Sequence, residues 1–297
     1  MNDSQLFCYA KRQPQKNFLP KPKLFARYKP MPWISLLLIG GIVVGCLWAE
    51  NITTKEAEYL YLQYANHPPS GEFWFGTDTL GRDVFSCIWY GGRLSLVIGM
   101  VSALMSLIIG IGYGAITAIS IGWIEKGMLR GLDIVSSIPS LLLMLFLKSV
   151  FPSNQPWSMG LIIGCTTWAT IAKTVYTETK GLTKREYFLM SQCMGASWLQ
   201  KICWHLLPNL MGSVLYMAIL NIRTGMMVES TLSFMGMGLP LEKISWGSML
   251  SLSEKALLTK SWWIVVIPGV FLTITLVCIG NIGEWIRKVY TQTEKSL

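Results

Sequence analysis

The chain has 297 residues, 52% of them hydrophobic and only 14% charged, against roughly 25% charged in an ordinary soluble domain. That balance excludes a soluble enzyme and a disordered chain. It points to an all-α integral membrane protein, long enough for about six spans of roughly 20 apolar residues each.

The net charge of +9 gathers between apolar runs, as the positive-inside bias requires, so it argues for membrane lipid rather than nucleic acid. Seven cysteines contain no CxxC pair, and the two histidines, His67 and His205, stand far apart. No disulfide framework or metal site is expected.

Residues 1–32 carry Lys11, Arg12, Lys16, Lys21, Lys23, Arg27 and Lys29 against Asp3 alone, with five prolines between Pro14 and Pro32. This basic tail is expected to be extended and cytoplasmic. Residues 33–92 then form a first span, near 33–49, and an external segment rich in Glu50, Glu56, Glu58, Glu72, Asp78 and Asp83. The run Phe75 to Ser86 sets Gly76, Thr77, Asp78, Gly81, Arg82 and Asp83 close together ahead of the next span. Two readings stand: turn and cap residues bridging acid to base, the commoner use of such residues, or direct contact with a substrate.

Residues 93–290 hold five more spans. The second, near 93–119, contains Gly110, Gly112 and Gly114, and the fourth, near 159–175, contains Gly160 and Gly164. Small residues four apart let helices approach closely in lipid. The third, near 132–151, contains Pro139, which is expected to kink it. The fifth, near 210–232, carries Arg223 and Glu229. A cation at mid-membrane costs at least about 2.5 to 3.5 kcal/mol on insertion scales. Arg223 is therefore expected to pair, with Glu229 or with another subunit, or to face an aqueous path. A sixth span near 262–282 leads to residues 291–297, a short cytoplasmic tail. Trp74, Trp89, Trp246, Trp262 and Trp263, near the external segments, suit interfacial anchors.

Between the fourth and fifth spans, residues 178–209 form a basic, structured loop. Thr183-x-x-Glu186 and Ser197-x-x-Gln200 fit capping boxes. Gly195 supplies the corner between two short helices, and Leu207-Pro208 closes the second. A helix, a corner and a helix on one side of a membrane make a handle for another protein.

Five blocks carry a resemblance: FGTDTLGRDVFSCIWYGGRLSLVIG (75–99), DIVSSIPSLLL (133–143), REYFLMSQCMGASWLQKICWHLLPN (185–209), ESTLSFMGMGLPLEKISWGSML (229–250) and PGVFLTITLVCIGNIGEWIR (268–287). In that order they resemble the second permease subunit of dipeptide, oligopeptide and nickel ABC importers. The resemblance implies a type I importer permease fold with six transmembrane helices and both termini cytoplasmic, in a bacterial cytoplasmic membrane. It implies that the 183–209 loop couples to an ATPase groove through Glu186, Tyr187, Leu189, Met190, Ser191, Gly195, Ala196, Ser197, Leu207 and Pro208. The implied partners are a sister permease, two ATP-binding subunits and an extracytoplasmic substrate-binding protein.

The chain departs from the family pattern at two places. Leu189-Met190-Ser191 stands where the family usually has Glu-Ala-Ala, which leaves Glu186 or Lys184-Arg185 for the polar contact, and Cys87 stands where arginine is frequent. The sequence has no GxxxxGK[ST] loop, so ATP and Mg are expected on partner chains, with no cofactor and no catalytic residue here. Peptides are the implied substrates, with nickel or another metal chelate as the alternative, and Arg223 and Glu229 are the pathway candidates. An ATP-independent channel or scaffold is the competing class. A membrane-embedded enzyme ranks last, for want of HExxH, paired intramembrane aspartates or a Ser/His dyad.

Overall fold

A computed structural model describes residues 31–152, 155–183, 207–240, 242–252, 256 and 259–296. The chain divides into two units, Met1–Met31 and Pro32–Leu297, and all the described elements belong to the second. They are helices: α1 (Trp33–Leu47), α2 (Ala49–Ile52), α3 (Val84–Ile119), α4 (Trp123–Ser137), α5 (Ser140–Val150), α6 (Pro156–Leu182), α7 (Leu207–Phe234), α8 (Trp246–Ser251) and α9 (Trp263–Ser296). A short 3-10 turn at Leu62–Tyr64 lies in the segment between α2 and α3.

Each expected span falls on a helix. Among the described residues, α3, α7 and α9 are long and apolar enough to cross a membrane, and α4 with α5 makes a fourth if the bent pair counts as one span. The 15 residues of α1 are apolar but reach only about 22 Å at 1.5 Å per residue. α6 has the length, at 27 residues, but its last turns carry Lys173, Glu178 and Lys180.

Local chemistry explains several boundaries. α3 starts at Val84, well before the expected 93, because Asp83 caps it by accepting from the Ser86 amide at 2.9 Å. Pro156 opens α6 in the first turn, where a missing amide hydrogen is harmless. Pro139 does more than kink the third span: α4 and α5 are separate helices meeting at 87°. α9 tolerates Pro268 and continues through Ser296, so the expected tail at 291–297 is helical up to that residue.

The centre of the bundle is the contact of α3 with α6, made by two sets of glycines. A Cβ on Gly110 would meet the Ile171 Cβ at 2.7 Å, and one on Gly114 would meet the Val175 Cβ at 2.9 Å. In return, Gly160 would meet the Val101 Cβ at 2.9 Å and Gly164 the Met105 Cβ at 2.6 Å. Both GxxxG pairs expected from sequence thus face the same partner, each lying in the other helix's surface. Ser106 joins them, donating to the Gly164 carbonyl at 3.0 Å.

The largest core cluster lies elsewhere, where α1, α3, α7, α8 and α9 meet around Trp246, Ile88, Met226 and Ile264. Two of the tryptophans expected as interfacial anchors belong to the interior instead. Trp246 is fully buried and donates its Nε1–H to the Ile88 carbonyl at 2.8 Å, and buried Trp263 donates to the Thr77 carbonyl at 3.1 Å. With the indole N–H satisfied inside, nothing holds either ring at an interface. Trp74 and Trp262 are exposed. α1 is tied in by Arg93 of α3, which reaches the Cys46 and Leu47 carbonyls at 3.1 and 2.8 Å.

Gly164→Leu forces a side chain into that contact and is expected to destabilise the purified protein by about 1–3 kcal/mol. Gly112, with nothing within 4 Å of its would-be Cβ, is the control: Gly112→Ala leaves the midpoint of thermal unfolding in detergent unchanged.

Candidate functional site

The motif from Gly76 to Asp83 folds into a closed knot at the start of α3. Gly76 and Gly81 take positive φ values of 74° and 80°, which glycine adopts without the Cβ clash of other residues. These turns bring Thr77 and Asp83 into an antiparallel bridge. The Asp78 carboxylate accepts from the Leu80 and Arg82 amides at 2.8 and 2.9 Å and from Arg82 Nε at 2.7 Å. Both side chains of that ion pair are only 5% exposed. Asp83 accepts from the Ser86 hydroxyl at 2.6 Å as well as from its amide. Thr77 bonds the Tyr64 carbonyl and accepts from the His67 amide at 2.9 Å. The charges satisfy one another under cover, which favours the turn-and-cap reading over contact with a substrate.

A second buried node surrounds Glu229, in the last turns of α7. One carboxylate oxygen accepts from the Ser233 hydroxyl at 2.9 Å and the Ser245 hydroxyl at 2.7 Å, and the other accepts from Ser230 at 3.4 Å. Ser95 of α3 lies beside the carboxylate and accepts from the Trp246 amide at 3.2 Å. Ser245 in turn caps α8 in a reciprocal box with Ser248. Gly247 makes room: a Cβ there would meet the Glu229 Oε1 at 2.9 Å. Glu229 therefore joins α3, α7 and α8, and it is fully buried. Nearby, Lys148 at the end of α5 donates to the carbonyls of Met237 and Gly238 in the α7–α8 connection.

Arg223 does not pair with Glu229. Six residues on a helix separate them by about 9 Å of rise and a third of a turn, and the serines hold the carboxylate. Among the described residues Arg223 makes no ion pair; it is exposed, and its guanidinium lies over Gly280 of α9, whose added Cβ would meet the Arg223 Nη1 at 2.9 Å. Other charges pair between α4 and α6: exposed Asp133 with Lys173 at 2.9 Å, and half-buried Glu125 with Lys180 at 2.7 Å. Tyr176 donates to Glu125 at 2.7 Å.

Most of the expected coupling residues, Glu186, Tyr187, Leu189, Met190, Ser191, Gly195, Ala196 and Ser197, lie outside the described residues. The two ends of the loop are described. Thr183 finishes α6 rather than opening a new helix: its backbone is right-handed helical, its amide bonds the Thr179 carbonyl at 2.9 Å and its hydroxyl the Lys180 carbonyl at 3.0 Å. Leu207 and Pro208 are the first residues of α7, where proline is tolerated for want of any intrahelical amide bond.

Sequence reasoning missed the serine shell of Glu229 and the tie made by Arg93. Ser230 and Ser233, one and four residues along the same helix, were visible as a pattern. Ser95 and Ser245 reach the carboxylate from other elements and gave no local signal.

Residues 107–292 match the family model described as "Binding-protein-dependent transport system inner membrane component". The chain belongs to this family. It is 33% identical over 261 residues to the oligopeptide transport system permease protein OppC of Bacillus subtilis, covering 88% of this chain and 85% of that one. It is 35% identical over 256 residues to OppC of Haemophilus influenzae, covering 85% and 81%. The dipeptide transport system permease protein DppC of Bacillus subtilis is 31% identical over 279 residues, covering 93% and 82%. The names of these relatives concern peptides and lend the nickel alternative no support. Among the described residues no group of three His, Cys, Asp or Glu could hold a metal ion.

Glu229→Leu removes the acceptor for several buried hydroxyls. It is expected to cost about 1–3 kcal/mol for groups left unsatisfied, read as a lower unfolding temperature of the detergent-solubilised chain. Glu229→Gln, which keeps the size and an acceptor oxygen, should lose less.

Proposed function

We propose that this chain is one of two permease subunits that together enclose the translocation path of an ATP-driven peptide importer. Its family membership and the 31–35% identity to oligopeptide and dipeptide permeases over more than four fifths of the chain carry this reading. In it, six spans cross the bacterial cytoplasmic membrane with both termini inside, and a sister permease completes the path. A substrate-binding protein delivers peptide from outside, and two partner ATPases hold ATP and Mg. Residues 183–209 form the handle those ATPases grip. Closure of the ATPases on ATP drags the handle, and the helices rock between inward-open and outward-open states; this is coupling between distant sites and needs an element with two states. Arg223, exposed and without an ion pair among the described residues, faces the path and attracts the carboxylate end of a peptide.

The test is uptake by the assembled complex in liposomes. Peptide is expected to accumulate only with ATP and the binding protein present, and accumulation without ATP would return the channel reading. Gly195→Leu, which fills the corner of the handle, is expected to abolish uptake and weaken co-purification of the ATPases. A complex carrying Arg223→Ala should assemble normally yet need about ten-fold more peptide-loaded binding protein for half-maximal uptake, a loss of ~1.4 kcal/mol. Unchanged uptake would assign Arg223 a purely structural place.

A further inference from the structure

On the six-span reading, in which α6 crosses the membrane, the break between α4 and α5 leaves backbone polar groups open partway through it. Leu132 of α4 shares a core cluster with Ala169 and Ala172 of α6, whereas Met144 of α5 shares another with Met159 and Ile163. The break is thus level with the middle of α6. α5 begins behind Pro139, which supplies no side-chain cap, so its first amides are without intrahelical partners. On the other side of the break, the Ser136 and Ser137 hydroxyls donate to the Leu132 and Ile134 carbonyls, each at 2.7 Å. Ser137, Pro139 and Ser140 are exposed.

Lipid cannot meet such groups. Irregular backbone at membrane depth is tolerated only where protein buries it or water reaches it. An independent observation decides between the two. Asp133 lies four residues before Ser137, on the same face of α4, and it forms with Lys173 an ion pair whose side chains are 69% and 45% exposed. Lys173 stands about 6 Å along α6 from its centre, and exposed charges at that depth face an aqueous cavity. The charged pair, Ser137 and Ser140 therefore make one polar strip running into the break.

We propose that this strip, Asp133, Ser137 and Ser140, forms part of the wall of the water-filled translocation path. The proposal rests on the transport reading above. It adds a lining segment from the third span, on a different helix from Arg223.

The experiment uses the complete complex in liposomes, carrying a version of this chain with the native cysteines replaced, into which Ser137→Cys or Ser140→Cys is introduced. A version keeping only buried Cys278 is the reference. A charged, membrane-impermeant thiol reagent is supplied on both sides, with and without ATP. The expected result is labelling of both positions at least ten-fold faster than Cys278 in at least one nucleotide state, with uptake falling at least ten-fold once a bulky adduct is attached. Labelling no faster than Cys278 in every state would overturn the proposal, because protein would then cover the break. Labelling that leaves uptake intact would overturn it too, since the crevice would lie off the path. Uptake by the cysteine-free parent is measured alongside: its failure with labelling retained counts against the transport reading, while the strip still stands as water-exposed.

Discussion

Close approach of α3 and α6 is the constraint from which the rest of the arrangement follows. In lipid, apolar side chains gain little by leaving their surroundings, and helices associate through packing and hydrogen bonds. Two pairs of glycines four residues apart remove the side chains that would hold these helices apart, and the Ser106 hydroxyl bridges the seam they leave. α6 then acts as a spine. α4 and α5 both pack on it at different levels, and its capping residue, Thr183, leads directly into the loop expected to meet the ATPases.

The two ends of this bundle are held by different physics. Where α3 begins, charges are buried and satisfied. The Asp78–Arg82 pair and the Asp83 cap fix the start of α3, and Glu229 draws hydroxyls from α7 and the residue before α8. Breaking one partner of such a buried pair is costly, of the order of 3–5 kcal/mol, so that end resists rearrangement. Where α6 ends, the ion pair of Glu125 of α4 with Lys180 is partly exposed, and such a pair contributes about 0–1 kcal/mol. The loosely tied end is the one adjoining residues 183–209, which suits the proposed role of that loop as a moving handle.

Much of this was legible in the residues. Apolar runs marked α1, α3, α5, α6, α7 and α9, because crossing lipid demands a stretch of fixed length and composition. GxxxG spacing marked the faces of α3 and α6, because helical periodicity converts a spacing of four into a shared face. The turn residues from Gly76 to Asp83 announced a cap before α3, since capping depends on neighbours three residues away. Five ordered motifs pointed to the family that the similarity to peptide permeases establishes.

What the sequence by itself determined is what short-range rules govern: helix positions, caps, glycine faces and family. Tertiary structure decided the partners. Arg223 and Glu229 look like a pair in one span, yet the carboxylate is held by Ser233 and by Ser245 from beyond that span, and Arg223 lies over Gly280 instead. Trp246 looks like an interfacial anchor until the Ile88 carbonyl is found to accept its N–H inside the bundle. Pro139 predicts a bend, but its size of 87° depends on which helices stand ready to receive the two halves. In each case a polar group takes the partner that space puts within about 3 Å, and that distance exists only once helices far apart in sequence have packed.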